Sequence, residues 1–170
     1  QPAGSSLFEP RDDDFFEAYR FILPGYNVRP LELSGAVGLE QLQKLDGFTA
    51  VRRANGKHFT ERFADDKRFI IQRENGESSW FSFTVILNPE HGADRKRVMQ
   101  ALKAADIGYR IITGGNFLRH DVIKHFDYDC VGEIVNANIA HDRGFFVGNH
   151  PFDLRDRIDT LYSVLDAATR

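Results

Sequence analysis

The chain predicts an α+β domain: a small, mainly antiparallel sheet with helices packed on one of its sides. Three observations carry this. Helix-period and strand-type stretches follow one another as helix, hairpin, helix, strand, which is not the strict alternation of a parallel βαβ sheet. Asn75-Gly76 lies between two runs rich in Phe, Ile and Val, a strong hairpin signal. Of the 170 residues 42% are apolar, including 15 Phe, enough for one domain with a packed core.

Residues 1–11 are rich in Pro, Gly and Ser and read as a tail. Asp12–Arg20 carries a short helical pattern with Phe15, Phe16 and Tyr19. From Leu31, apolar Leu39, Leu42 and Leu45 recur at helical spacing, with Ser34, Gly35, Ala36 and Gly38 letting another backbone come close. Asp46-Gly47 is expected to break that helix. A second follows, with Phe48, Val51, Phe59 and Phe63 on one side and Arg52, Arg53, Lys57 and Arg62 mostly on the other. Phe69–Glu74 and Ser79–Leu87 form the predicted hairpin. Asp94 caps a helix with Val98, Leu102 and Ala105. Gly108–Thr113 reads as a third strand ending at Gly114-Gly115, Asn116–Asp142 as irregular chain with short helical turns, and Phe145–Val147 as a fourth strand. Asp153 then caps a terminal helix facing Leu154, Ile158, Leu161, Tyr162 and Leu165 inward. No internal repeat or low-complexity region interrupts this order.

A net charge of −3 and a pI near 6.1 provide no basic field for nucleic acid. The longest apolar stretches, such as Trp80–Leu87, fall far short of the roughly 20 residues of a membrane span, and no signal peptide is read before them. A cytoplasmic protein binding neither membrane nor nucleic acid is expected. The lone Cys130 excludes an internal disulfide and reads as a small buried hydrophobe. His120, His125, His141 and His150, with Asp121, Asp127, Asp129 and Asp142, lack metal-ligand spacing, so no metal is expected. His150, within Gly148-Asn149-His150, is read as holding the loop after the fourth strand.

The stretch most suggestive of chemistry is Leu23-Pro24-Gly25-Tyr26-Asn27-Val28-Arg29-Pro30. It sets a rigid turn, a neutral amide and a guanidinium just before a helix, where anions are favoured. The same residues also read as a loop before an ordinary helix, and on pattern alone that is the simpler reading. What weighs against it is that Gly25–Leu42 resembles the signature of the DegT/DnrJ/StrS-type sugar aminotransferase family. Glu77–Phe83, Gly115–Leu118, Lys124–Tyr128 and Gly144–His150 resemble further segments of that family in the same order. The resemblance runs from about Phe15 to the C-terminus and is strongest to the branch that removes the 3-hydroxyl of GDP-linked 4-keto-6-deoxyhexoses.

That resemblance implies the small C-terminal domain of the aspartate aminotransferase fold. Residues 1–24 would be a tail and linker from a missing large domain, 25–64 interdomain helices, and 65–170 the small domain. It implies pyridoxal or pyridoxamine phosphate as cofactor in the complete enzyme, a nucleotide sugar as substrate, glutamate as amino donor, and a homodimer. Asn27 would reach the cofactor phosphate of the neighbouring subunit, a task suited to a neutral donor. Arg29 would face the sugar or its diphosphate, Arg110 the bound nucleotide sugar, and Tyr19 the nucleotide or, equally, the core. Asn116, Phe117 and Arg119 could contact the sugar, with Gly114 and Gly115 allowing close backbone approach. The chain departs from the pattern at Ile107-Gly108-Tyr109-Arg110-Ile111, where an acidic side chain is replaced by Gly108, which leaves the base of the nucleotide open. The catalytic base or Schiff-base residue has no counterpart here, so the chain alone is expected to be inactive. Dehydration toward dideoxy sugars of O-antigen lipopolysaccharide is the leading expectation. A lysine-dependent sugar 4-aminotransferase and a non-catalytic binding or dimerisation module are the alternatives.

Overall fold

The computed structural model describes residues 20–26, 31–112 and 114–170. In chain order they form α1 (Glu32–Leu42), α2 (Leu45–Phe63), β1 (Phe69–Ile71), β2 (Ser82–Leu87), α3 (Arg95–Ala104), β3 (Tyr109–Arg110), α4 (Val135–Arg143), β4 (Gly144–Gly148) and α5 (Arg155–Ala168). Short 3-10 turns occupy Pro89–His91, Phe117–Arg119 and Asp121–His125. The sheet order is β1-β2-β4-β3, and every neighbouring pair is antiparallel.

Strand β2 organises the core. Its period-two alternation buries Phe83, Val85 and Leu87 and leaves Ser82, Thr84 and Ile86 half-buried on the other face. The β2–β4 register sets Val147 opposite Phe83 and Phe145 opposite Val85, so β4 extends the same apolar face. Onto that face close Phe59 and Phe63 of α2, Val98, Met99 and Leu102 of α3, and Ile158, Leu161 and Leu165 of α5. The Phe59 and Phe83 rings stack with centroids 4.7 Å apart. The predicted one-sided α+β packing is therefore present.

Three boundaries differ from the sequence expectation. The helix break falls at Gln43-Lys44, where Lys44 N–H donates to Gln41 O at 3.0 Å and Phe48 N–H to Lys44 O at 3.0 Å. Asp46 thus sits in the first turn of α2, where a carboxylate complements the helix dipole, and that helix accommodates Gly47 at a cost of about 1 kcal/mol. The β1–β2 hairpin forms with Asn75-Gly76 as a bend in its connection, but the connection is longer than expected, since strand pairing stops at Ile71 and Val85. Beyond it the Gln72 amide replaces backbone pairing, donating to Ser82 O at 3.2 Å and accepting from Thr84 N at 2.7 Å. Finally, the third strand is only two residues long, and the stretch read as irregular ends in α4. That helix buries only His141, so its sequence carries little amphipathic signal.

Cys130 is exposed, contrary to its expected burial, because it lies in the irregular stretch after Phe126 where Tyr128 and Val131 are exposed as well. The loop after β4 is held by Asn149, while the exposed His150 contributes its carbonyl and stacks its ring on Phe152. Asn149 Nδ2 donates to Trp80 O at 2.9 Å and Arg52 O at 3.1 Å, and its Oδ1 accepts from Asn55 Nδ2 at 3.1 Å. Asn55 also donates to Phe152 O at 2.8 Å and accepts from Leu154 N at 3.0 Å. Asp153, the expected cap of α5, accepts from Arg155 N at 3.0 Å, so the carboxylate and the buried amide share the start of that helix.

Asn55→Ala should lower the stability of the 170-residue chain by about 2–4 kcal/mol, since it strands a buried N–H and a buried carbonyl. Urea unfolding with an unchanged m-value checks this; a loss below about 1 kcal/mol would show that water replaces the amide.

Candidate functional site

The edge strand β3 and the chain that follows it form an exposed rim. Arg110 stands opposite Phe146 in the β3–β4 register and its side chain is exposed, while Ile111 beside it is buried. The backbone then turns through Gly114 and Gly115 at φ +76° and +65°. A Cβ on Gly115 would lie 2.3 Å from His141 Nδ1, so only glycine fits there.

Asn116 is 5% exposed and turned inward. Its Oδ1 accepts from Leu118 N at 2.9 Å, opening the 3-10 turn, and its Nδ2 donates to Asn138 Oδ1 at 2.9 Å. A sugar contact through this amide would displace one of those bonds; the geometry gives Asn116 the work of shaping the turn. Phe117 is 47% exposed and Arg119 is also at the surface. Arg119 is engaged by Asp142, with Nη2 to Oδ2 at 3.0 Å, and this pairing holds the Asp142 carboxyl below its usual range. Arg110 and Arg119 therefore differ: a ligand anion reaching Arg119 competes with a carboxylate.

Two buried histidines that sequence reading set aside organise this rim. His141 Nδ1 accepts from Asn116 N at 3.0 Å, which places the ring proton on Nε2. Burial pushes its imidazole pKa down, and the positive Arg119 adds to the shift. His120, 2% exposed, receives Phe21 N–H at Nδ1 and bonds Gly114 O through Nε2. The backbone donors they receive, Phe21 N for His120 and Asn116 N for His141, come from 99 and 25 residues away in sequence, so no local spacing marked them; the paired glycines were the available hint. Among the described residues no group of three or more His, Cys, Asp or Glu converges on a common point.

Beside β3 a cleft of about 490 Å³ opens around Ile107 and Gly108, with Val147 and Leu161 in its wall and Asp106, His150 and Arg157 at its margin. Gly108, where an acidic residue was expected, leaves that side of the rim without a side chain. Tyr19, Asn27 and Arg29 lie outside the described residues.

Residues 6–163 match the DegT/DnrJ/EryC1/StrS aminotransferase family. The chain belongs to this family. It is 48% identical over 155 residues to GDP-4-keto-6-deoxy-D-mannose 3-dehydratase of Escherichia coli O55:H7, covering 91% of this chain and 40% of that protein. It is 46% identical over 154 residues to the enzyme of that name from Yersinia pseudotuberculosis, covering 90% of this chain and 39% of the relative. The structure of the E. coli enzyme with bound hydrated pyridoxal phosphate superposes with a TM-score of 0.78 over 91% of this chain and 40% of the other. An aminotransferase of pseudaminic acid biosynthesis from Helicobacter pylori shares the fold at 17% identity and TM-score 0.66. The chain thus spans about 40% of the length of the dehydratases it matches, and its α+β fold is the corresponding part of the pyridoxal-phosphate-dependent sugar aminotransferase fold.

The depressed pKa of His141 has a consequence for stability. Unfolded, the imidazole binds a proton near its ordinary 6.5; folded, it does so only at lower pH. Between those values the unfolded state holds more protons, so stability should fall as pH drops below about 6.5 and level off at the folded pKa. A separate loss should follow between 3.8 and about 2 as Asp66, held low by Arg68, is protonated. Urea midpoints across pH check both; His141→Gln, whose amide oxygen can accept from Asn116, should flatten the upper slope alone.

Proposed function

We propose that the chain is the small-domain part of a pyridoxal- or pyridoxamine-phosphate-dependent enzyme that removes the 3-hydroxyl of a GDP-linked 4-keto-6-deoxyhexose, supplying 3,6-dideoxy sugars for lipopolysaccharide O-antigen. The observation that carries this is 48% identity to a dehydratase of that substrate over 91% of the chain, with the exposed Arg110 standing on an open rim of the matching fold. A Salmonella typhimurium relative at 27% identity, named as a lipopolysaccharide biosynthesis protein, supports the same biosynthetic setting.

In this reading the described residues bind and orient. Arg110 offers an always-charged, five-donor group to a diphosphate or sugar oxygen. Phe117 gives an apolar surface to a sugar or base, and Arg119 a second cation that exchanges Asp142 for the ligand. Neither buried histidine is placed to act as the proton-transferring base: His120 has both ring nitrogens engaged and His141 has its Nδ1 engaged. Asn27 would hold the cofactor phosphate of a neighbouring subunit, Arg29 and Tyr19 the nucleotide sugar. The cofactor, once bound, supplies the electron sink for breaking the carbon–oxygen bond, and glutamate would restore its amine form.

Helix α1 supports assembly with further protein. It buries none of its residues, and Leu31, Leu33 and Leu39 are each about 70% exposed. A face of this kind is what a large domain or a second subunit would cover in a homodimer.

The full-length protein, given the cofactor, glutamate and GDP-4-keto-6-deoxymannose, should yield a 4-keto-3,6-dideoxy product lighter than the substrate by one oxygen atom in mass spectrometry, together with 2-oxoglutarate and ammonia from the glutamate. An amino sugar retaining the 3-hydroxyl would instead make it an aminotransferase. Arg110→Ala should raise KM for the nucleotide sugar by about tenfold or more, the expected loss of a hydrogen bond to a charged group.

A further inference from the structure

The segment Arg20–Ile22 and the turn Gly114–Arg119 are about a hundred residues apart in sequence, yet one imidazole joins their backbones. His120 Nδ1 accepts from Phe21 N at 3.0 Å, so the ring proton resides on Nε2, which donates to Gly114 O at 2.6 Å. Phe21 O in turn accepts from Val122 N at 3.1 Å, so both backbone polar groups of Phe21 are tied to the His120–Val122 stretch. Arg20 Nε donates to Asp121 Oδ2 at 2.9 Å, with only 8% of the Arg20 side chain exposed. The Phe21 ring lies 5.2 Å from the imidazole and 6.1 Å from the Phe117 ring. A Cβ added to Gly114 would stand 3.1 Å from that Phe21 ring, so the glycine at φ +76° also makes room for the strap.

We infer that His120 is a positioning residue that sets the strap Arg20–Ile22 and the glycine turn as one unit, so that the strap holds the rim residues Phe117 and Arg119, which continue from that turn, in place for the substrate. Phe117 and Arg119 follow the glycine turn within four residues of Gly115. An apolar side chain could fill the same volume. It could not hold a backbone donor from one segment and a backbone acceptor from the other, a role that needs a neutral imidazole in one tautomer.

This rests on the proposed placement of the nucleotide sugar on the rim, so the test separates the two. In the full-length enzyme at saturating cofactor, His120→Ala should raise KM for the nucleotide sugar about tenfold with kcat changed less than about twofold, the signature of lost ground-state positioning. His120→Asn, whose side-chain oxygen can still accept from Phe21 N, should recover part of that KM. Because His120→Ala opens the core, Asp121→Asn provides a second route: it weakens the hold on Arg20 from the surface and should raise KM about threefold. Arg110→Ala is the control. If it raises KM while the His120 and Asp121 variants lower only the melting temperature, His120 is merely structural and the inference fails. If none of these variants, Arg110→Ala included, moves KM, the placement of the substrate on this rim fails first.

Discussion

Asn55 and Asn149, two carboxamides buried against each other, fix the point at which three separate parts of the chain meet. Each is 2–3% exposed, and neither can leave its polar atoms unpaired at that depth without a cost of a few kcal/mol. Asn149 holds Trp80 O and Arg52 O; Asn55 holds Phe152 O and Leu154 N. Helix α2, the loop before β2 and the loop between β4 and α5 are thus referred to one another by directional bonds, which greasy contact alone does not provide. Gly56 belongs to the same device. The Trp80 indole lies where a Cβ on Gly56 would sit, and Trp80 adopts φ 51°, a left-handed conformation held by its burial.

That constraint decides which side of the sheet is free for function. With α2, α3 and α5 locked against Phe83, Val85, Leu87, Phe145 and Val147, the helix side is consumed by the core. What remains is the far face, with Phe146 half-buried and Phe81 71% exposed, together with the rim that begins at β3. Residues able to meet a ligand collect on the rim because its backbone leaves the sheet after two residues, turns at two glycines and needs outside anchors. His120, His141 and Asn116 are those anchors. They are polar and buried because they replace the strand pairing that the rim gives up.

Much of the fold was legible in the sequence because it rests on short-range pattern. The alternation in Ser82–Leu87, the aspartate at the start of α3 and the apolar spacing of α5 are local signals, and each maps onto an element of the structure. The hairpin around Asn75-Gly76 is formed, but its strands pair only as far as Ile71 and Val85, and the Gln72 side chain takes over the bonds beyond them. Helix α4 escaped because its exposed residues carry no periodic apolar stripe. At the rim, the residue types were legible but their directions were not. Asn116 and Arg119 stand three apart and read alike in sequence; one amide is turned inward to Asn138 and the other side chain is outside with Asp142. Only long-range partners make that difference.

The same logic explains why reaction type is harder to read than substrate class. A dehydratase and an aminotransferase of one family hold similar nucleotide sugars, and both need cations and a flat apolar surface around them. In the proposed reading those are what Arg110, Arg119 and Phe117 would provide. What separates the reactions is the group that moves a proton at the cofactor, and such a group must keep a nitrogen free to exchange one. His120 is barred from this by its own hydrogen bonds: protonating Nδ1 would set two donors face to face at Phe21, and removing the Nε2 proton would leave Gly114 O without its donor. A histidine whose two ring nitrogens are both taken up by the backbone in this way contributes geometry rather than proton transfer.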